Sequence, residues 1–278
     1  MAVTFVVVPQ WQGSGSPRRL QLSDGAAAIR AGLPAAAVRD VEVPGEAGEA
    51  RGAGVAGYSV LQRIHDHHAR LLADTEEVAI TIGGDCGVEL AAIGHATRRA
   101  RRDLAIVWLD AHGDLNTPAS SPSGAFHGMV LRAVLGEGAP GLVSEPAATP
   151  RPAQVVLAGT RSFDPAERAY VDAHGVRLIA PADFRAEALV AAVEATGASS
   201  VFIHVDLDVL DPGELHGIGC PEPQGVSAEA LVASIAALRR RYRLTGAGIT
   251  EFTPWSVAEA TRDLATIRRI LGALAVDA

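Results

Sequence analysis

Leu104-Ala-Ile-Val-Trp-Leu-Asp-Ala-His-Gly-Asp-Leu-Asn116 decides how this chain is read. It opens on the apolar run LAIVWL and then sets Asp110, His112 and Asp114 at alternate positions. A short apolar run with β-branched and aromatic members has the form of a buried strand. Alternate residues of extended backbone share a side, so the two carboxylates and the imidazole are expected on one side of the strand end. Two oxygen donors and one imidazole facing the same way are the makings of a transition-metal site. The plain alternative is a solvated polar loop.

Working outward, strand-like runs recur: Val3–Val8, Val38–Val43, Val78–Ile82, Gln154–Ala158, Val176–Ile179, Ser200–Val205 and Leu244–Ile249. Between them lie segments with apolar residues at helical spacing: Asp24–Ala31, Ser59–Leu72, Val88–Arg99, Gly128–Leu135, a short helix after Glu167, Arg185–Glu194, Ala228–Tyr242 and Val257–Leu274. Strands alternating with helices predict an α/β three-layer sandwich, an eight-stranded, mostly parallel sheet with helices on both faces. No repeat or linker divides it, so residues 1–278 are expected to form one catalytic domain. His65, Asp66, His67 and His68 crowd the Ser59–Leu72 segment, where a solvated helix face is expected, because ligands on a helix need about four-residue spacing.

The formal charge is −8, and the 24 basic residues are all arginine, with no long basic run. Nucleic acid is therefore an unexpected partner. No apolar run approaches membrane-span length, and the start, MAVTFVVVPQ, reads as a strand rather than a signal peptide. With two cysteines, Cys86 and Cys220, a cytoplasmic location and no structural disulfide are expected.

In open α/β sheets ligands bind beyond the carboxyl ends of the strands. Gly83-Gly84-Asp85-Cys86, the Asp110–Asp114 stretch, His204-Val-Asp206-Leu-Asp208 and Glu251 all fall at such ends. Cys86, Asp110, His112, Asp114, Asp206 and Asp208 are too many ligands for one tetrahedral ion. They fit two divalent ions about 3.5–4 Å apart. The carboxylate-rich set points to Mn²⁺ more than Zn²⁺. Such a pair activates water near neutral pH, which fits hydrolysis of a planar, poorly electrophilic carbon.

The ordered set GGDC, DAHGDLN, SGAFHG, GTRSFDPAE, HVDLDVLDP and Glu251, spanning Val78 to Glu251, resembles the ureohydrolase family of arginases, agmatinases and their relatives. The resemblance implies two Mn²⁺ ions, with Asp110 and Asp206 bridging. His112 and Asp208 would complete one ion, Asp114 and Cys86 the other. It implies that His127 moves a proton to the leaving amine and that Glu251 holds the guanidinium. Asn116, Ser123, Asp164 and Glu167 match arginase positions that contact the amino-acid end of arginine, favouring an arginine-like substrate over agmatine.

The chain departs from that pattern at several positions. Cys86 stands where arginases carry histidine, as a thiolate ligand or as a buried, inert cysteine. Ala125 replaces a substrate-contacting asparagine, Ser162 an acidic residue, and Cys220 a threonine near the guanidinium end. The long C-terminal tail of some arginases is absent, which favours a monomer or small homo-oligomer. These changes imply a specialised substrate, Nω-hydroxy-L-arginine, cleaved to hydroxyurea and L-ornithine as in an antibiotic pathway of the cycloserine type, or L-arginine cleaved to urea. Agmatine, a guanidino acid or formiminoglutamate is the alternative substrate, and a metal-poor, non-catalytic binding protein the alternative class.

Overall fold

Each strand-like run forms a strand, and every strand pairing is parallel. The computed structural model describes residues 2–275. Its first half contains β1 (Val3–Val8), α1 (Gln21–Arg30), β2 (Val38–Asp40), α2 (Tyr58–Ala73), β3 (Val78–Gly83), α3 (Glu89–Arg99), β4 (Ala105–Leu109) and α4 (Val130–Val134). There follow β5 (Val155–Ala158), α5 (Pro165–His174), β6 (Arg177–Ile179), α6 (Ala186–Glu194), β7 (Ser200–Asp206), α7 (Ala228–Arg241), β8 (Arg243–Thr250) and α8 (Val257–Ala275). The sheet order is β2-β1-β3-β8-β7-β4-β5-β6. The expected eight-stranded sheet is present and wholly parallel. No helix among the described residues is long and apolar enough to cross a membrane.

Strand alternation sends side chains to two cores, one on each face. Phe5, Val7, Ile80, Ile82, Val107, Val205 and Ile249 pack with apolar positions of α1, α6, α7 and α8. Val6, Val8, Ile106, Trp108, Leu157 and Phe202 pack with those of α2, α3, α4 and α5. Central strands are buried on both faces, which explains their unbroken apolar runs. The three-layer sandwich follows from these two apolar interfaces.

Two expectations change. The second strand ends at Asp40 rather than Val43. It is an edge strand, and after Val41, whose N–H still reaches Val7 O at 2.9 Å, the chain turns away. The solvated-face expectation holds for Asp66 and His67, which are exposed, but fails for His68. Leu61, Ile64, His68 and Leu72 share one helical stripe, so His68 is carried into the core, 1% exposed. Its Nε2 lies 3.5 Å from Thr81 Oγ1. Burial pushes its pKa down to about 3.

Candidate active site

The sheet order makes β3, β8, β7 and β4 consecutive neighbours, so their carboxyl ends open onto one place. These are the strands that lead into Cys86, Glu251, the Asp206–Asp208 pair and Asp110.

Asp110 is fully buried directly after β4. Trp108 Nε1 donates to its Oδ2 at 3.0 Å and the His112 backbone N–H to its Oδ1 at 2.6 Å. Asp206 Oδ1 accepts from Asp208 N at 2.8 Å, and Asp208 Oδ1 accepts from Ala111 N at 3.0 Å. Main-chain donors thus fix one oxygen each of Asp206 and Asp208 and leave the other free of main chain, whereas both oxygens of Asp110 accept, one from the Trp108 indole and one from main chain. His112 Nδ1 then lies 2.9 Å from Asp208 Oδ2 and 3.6 Å from Asp110 Oδ1. Cys86 Sγ lies 3.1 Å from Asp206 Oδ2.

Among the described residues, two groups have donor atoms close enough to hold a metal ion. One is Asp110, His112 and Asp208; the other is Cys86, Asp110, His204 and Asp206. Asp110 belongs to both. Asp114 belongs to neither, and the strand argument for it is corrected: β4 stops at Leu109, so Asp110–Asp114 is loop, not extended strand. Asp114 turns toward the pocket through a left-handed backbone, φ +51°.

The electrostatics are those of crowded, buried anions. Burial, reinforced by neighbouring carboxylates, holds Asp114, Asp206 and Asp208 above the usual carboxylate range. Burial pushes Asp110 the same way, but its hydrogen bond and attraction to His112 outweigh it and hold it low. His112 is desolvated too, yet Asp208 and Asp110 raise it well above an ordinary histidine. Burial and the nearby Asp206 push the Cys86 thiol far up. A divalent cation would relieve this repulsion and displace the thiol proton. The donor chemistry therefore fits bound metal.

Above this floor is a cavity of about 190 Å³. His112, Asp114, Asp206, Asp208, His127, Glu251, Asn116, Ser123, Asp164 and Glu167 line it, together with Cys220. Cys86 and Asp110 lie beneath the lining. His127 Nδ1 is 3.3 Å from Glu251 Oε1, and Gly15 N–H donates to His127 Nε2 at 3.3 Å. Burial lowers the His127 pKa, but the hydrogen bond and charge of Glu251 raise it above the ordinary value overall. Glu251 also accepts from Cys86 N at 3.2 Å and holds a left-handed backbone, φ +65°. A non-glycine residue there costs about 1–3 kcal/mol, offset here by the surrounding packing.

At the mouth, Asp164 and Glu167 form the capping box of α5, ahead of Pro165. Glu167 accepts from Asp164 N and Leu115 N, both at 2.8 Å, so its two oxygens are occupied by main chain. Asn116 Nδ2 donates to Asp164 Oδ2 at 2.7 Å. Ser123 is exposed on the rim.

Three residues of the site escape the sequence reading. His204 stands two positions before Asp206, on the same strand face, and that spacing is the signal for it. Glu89, on α3, reaches His204. Arg161 binds main-chain carbonyls after β7, including Asp208 O at 2.9 Å. Glu89 carries no signal in its own surroundings, and Arg161, though inside the stretch GTRSFDPAE, is given no role by it.

Strand-end donors, buried anions and a pocket above them have the form of a metal site in an α/β fold. The Arginase family model matches residues 14–271, and the chain belongs to the arginase family of hydrolases. Over 208 residues it is 29% identical to the arginase of Bacillus caldovelox, covering 70% of this chain and 69% of that one. It is 31% identical over 188 residues to the arginase of Bacillus subtilis, covering 65% of this chain and 63% of that one. The crystal structure of Entamoeba histolytica arginase in complex with L-ornithine has the same fold, with a TM-score of 0.86 over 98% of this chain and 97% of that one, at 24% identity.

Proposed function

We propose that residues 1–278 form one catalytic domain, a two-metal amidinohydrolase acting on the guanidino carbon of an arginine-like amino acid. The observation that supports this reading is the membership of Asp110 in both donor groups, where its carboxylate would serve two ions. Cys86, Asp110 and Asp206 would hold one ion, and Asp110, His112 and Asp208 the other, with Asp114 and Asp206 adding carboxylate oxygens from the pocket wall. The carboxylate-rich set favours Mn²⁺. When bound, the ions supply Lewis-acid activation of water near neutral pH.

The chain's own groups do the rest. Glu251 orients the planar guanidinium, for which a carboxylate is the matched acceptor. His127, adjoining Glu251, carries a proton to the amine that leaves as ornithine. Asn116, Ser123 and Asp164 meet the α-amino and α-carboxylate end, while Glu167 holds Asp164 in place. Cys86 beneath the floor and Cys220 in the pocket wall distinguish the guanidino end. Burial raises the Cys220 thiol to about 12, so it faces the substrate as a neutral group. These two departures from the arginase pattern at the guanidino end support Nω-hydroxy-L-arginine over L-arginine as substrate, and the products would be hydroxyurea and L-ornithine. Both cysteines are free, in keeping with a reducing, cytoplasmic setting.

The test is a product assay with added Mn²⁺ across L-arginine, Nω-hydroxy-L-arginine, agmatine, a guanidino acid and formiminoglutamate. Hydroxyurea formed faster than urea supports the full reading. Preference for plain arginine removes the hydroxylated substrate, and preference for agmatine removes the amino-acid handle.

A further inference from the structure

Position 86 carries a thiol, but an imidazole stands beside it. His204, on β7, is fully buried. Its Nε2 lies 3.7 Å from Cys86 Sγ and 3.9 Å from Asp110 Oδ2. In the sheet its register partners are Trp108 on β4 and Gly248 on β8. Trp108 stacks on the ring, with 3.6 Å between centroids. Nδ1, on the other side of the ring, is 3.2 Å from Glu89 Oε1. Glu89 is itself fully buried, and its Oε2 has no hydrogen-bond partner. It enters the space left by Gly248, where a Cβ would sit 1.6 Å from Oε1.

Packing alone does not account for this set. A buried carboxylate and imidazole lose solvation that their pairing only partly restores, and an apolar pair would fill the same volume without that cost. A carboxylate only accepts, so the ring proton sits on Nδ1 and the Nε2 lone pair faces Cys86 and Asp110. An imidazole that donates one N–H to a carboxylate and turns its other nitrogen toward anionic donors is the arrangement of a metal-ligating histidine.

We infer that His204 is a ligand of the ion held by Cys86, Asp110 and Asp206, and that Glu89 fixes its tautomer and ring plane. Strand β7 thus supplies the imidazole that the end of β3 does not. The inference rests on the two-metal reading, and it makes the two centres unequal. One has sulfur, nitrogen and two carboxylates; the other has nitrogen and carboxylates alone. The first is the softer, with the greater preference for thiophilic ions.

The test reads metal binding, not turnover. Metal-stripped protein labelled with ¹⁵N-histidine is titrated with Cd²⁺, and the His204 ring is assigned through its contacts with Trp108. The expected result is a coordination shift of Nε2, with Nδ1 still protonated. Cd²⁺ binding by equilibrium dialysis without movement of the His204 signals overturns the inference and leaves the two-metal reading intact. Failure of the parent protein to bind Cd²⁺ or Mn²⁺ at all overturns both. In parallel, His204→Gln is expected to lower bound Mn²⁺ from two per chain to one. Glu89→Gln should weaken that same ion about 10–100-fold. Full Mn²⁺ affinity in both variants, with only metal-free stability reduced, would show that the pair is structural.

Discussion

Arg161 offers the sharpest test of how the site is held open. Its guanidinium reaches carbonyls on three segments. Nη1 donates to Gly159 O at 2.9 Å and Val209 O at 3.2 Å. Nη2 donates to Glu222 O at 2.8 Å, Asp208 O at 2.9 Å and Leu210 O at 3.4 Å, and Nε to Pro223 O at 2.9 Å. One side chain thus ties the turn after β7, which carries Asp208, to the end of β5 and to the loop before α7. Hydrogen bonds to a charged group contribute about 1.5–3 kcal/mol each, but they are not additive here because they share one cation. Four of the contacts are short, and the group is half-buried, so Arg161→Met should cost about 2–4 kcal/mol. Arg161→Lys places a compact ammonium where a fork is needed and should recover less than half of that. Asp208 keeps its bond from Ala111 N, so Mn²⁺ affinity should fall about 10–100-fold rather than vanish. Guanidinium chloride unfolding of the metal-free variants and Mn²⁺ equilibrium dialysis measure the two effects. Arg161→Met within about 0.5 kcal/mol of the parent, with unchanged Mn²⁺ binding, would refute the reasoning.

Three further outcomes are expected. Because the His68 pKa is about 3 when folded against 6.5 unfolded, the unfolded chain takes up the proton first, so His68's contribution is complete above pH 6.5 and declines as pH falls. At pH 5 the loss is about 2 kcal/mol; urea unfolding at pH 7 and 5 should show a smaller drop for His68→Met, and parallel drops would sink the assignment. Gly248→Ala collides with Glu89 and should cost more than about 3 kcal/mol or expel the Glu89 side chain; a parent-like thermal midpoint with both metal ions bound would contradict it. Cys86→His alone inserts a ring where Sγ already lies 3.1 Å from Thr250 Oγ1 and 3.7 Å from His204, so it should be overpacked by about 1–3 kcal/mol. Cys86→His with His204→Ser should relieve that cost, and a double-mutant cycle on thermal stability with no coupling between the positions would exclude the contact.

The parallel sheet was legible because its strands are apolar along their whole length, and the helical stripes between them supply the two covering layers. The site residues were legible where chemistry concentrates in sequence, at Asp110, His112 and the Asp206–Asp208 pair. Other parts depend on relations that sequence order hides. His204 stands at a strand end in the sequence but suggests no role there, because only the order β3-β8-β7-β4 brings it beside Cys86. Glu89 sits at the start of a helix, where an acidic residue is favoured for local reasons. Its reach across Gly248 is a tertiary fact. His68 shows the converse: its crowded neighbours suggested a wet face, while its 3.6-residue phase placed it inward. Asp114 reaches the pocket by a left-handed turn, not by the strand alternation that first drew attention to it.

The division between floor and mouth follows from where charge can be borne. Beneath the pocket, Cys86, Asp110, Asp206 and Asp208 have less than 5% of their surface exposed, and burial forces three of the four to hold protons more tightly. A bound cation would offset that burial and mutual repulsion and favour their anionic forms. At the mouth, Asn116, Ser123 and Asp164 are neutral or more exposed; Asn116 donates to Asp164, and Ser123 accepts from Ala125 N, hydrogen bonds that a polar ligand end could replace. Glu251 and His127 lie between these regimes, close enough to the floor to meet a guanidinium and open enough to exchange a proton with the pocket. The strained backbone of Glu251 is tolerated at that boundary because its N–H is anchored to Gly84 O at 2.8 Å. This bond joins the end of β8 to the loop that presents Cys86. Substrate orientation and the thiol-bearing donor group therefore share one main-chain contact, and a change at Cys86 should be felt in guanidino selectivity before it is felt at the amino-acid end.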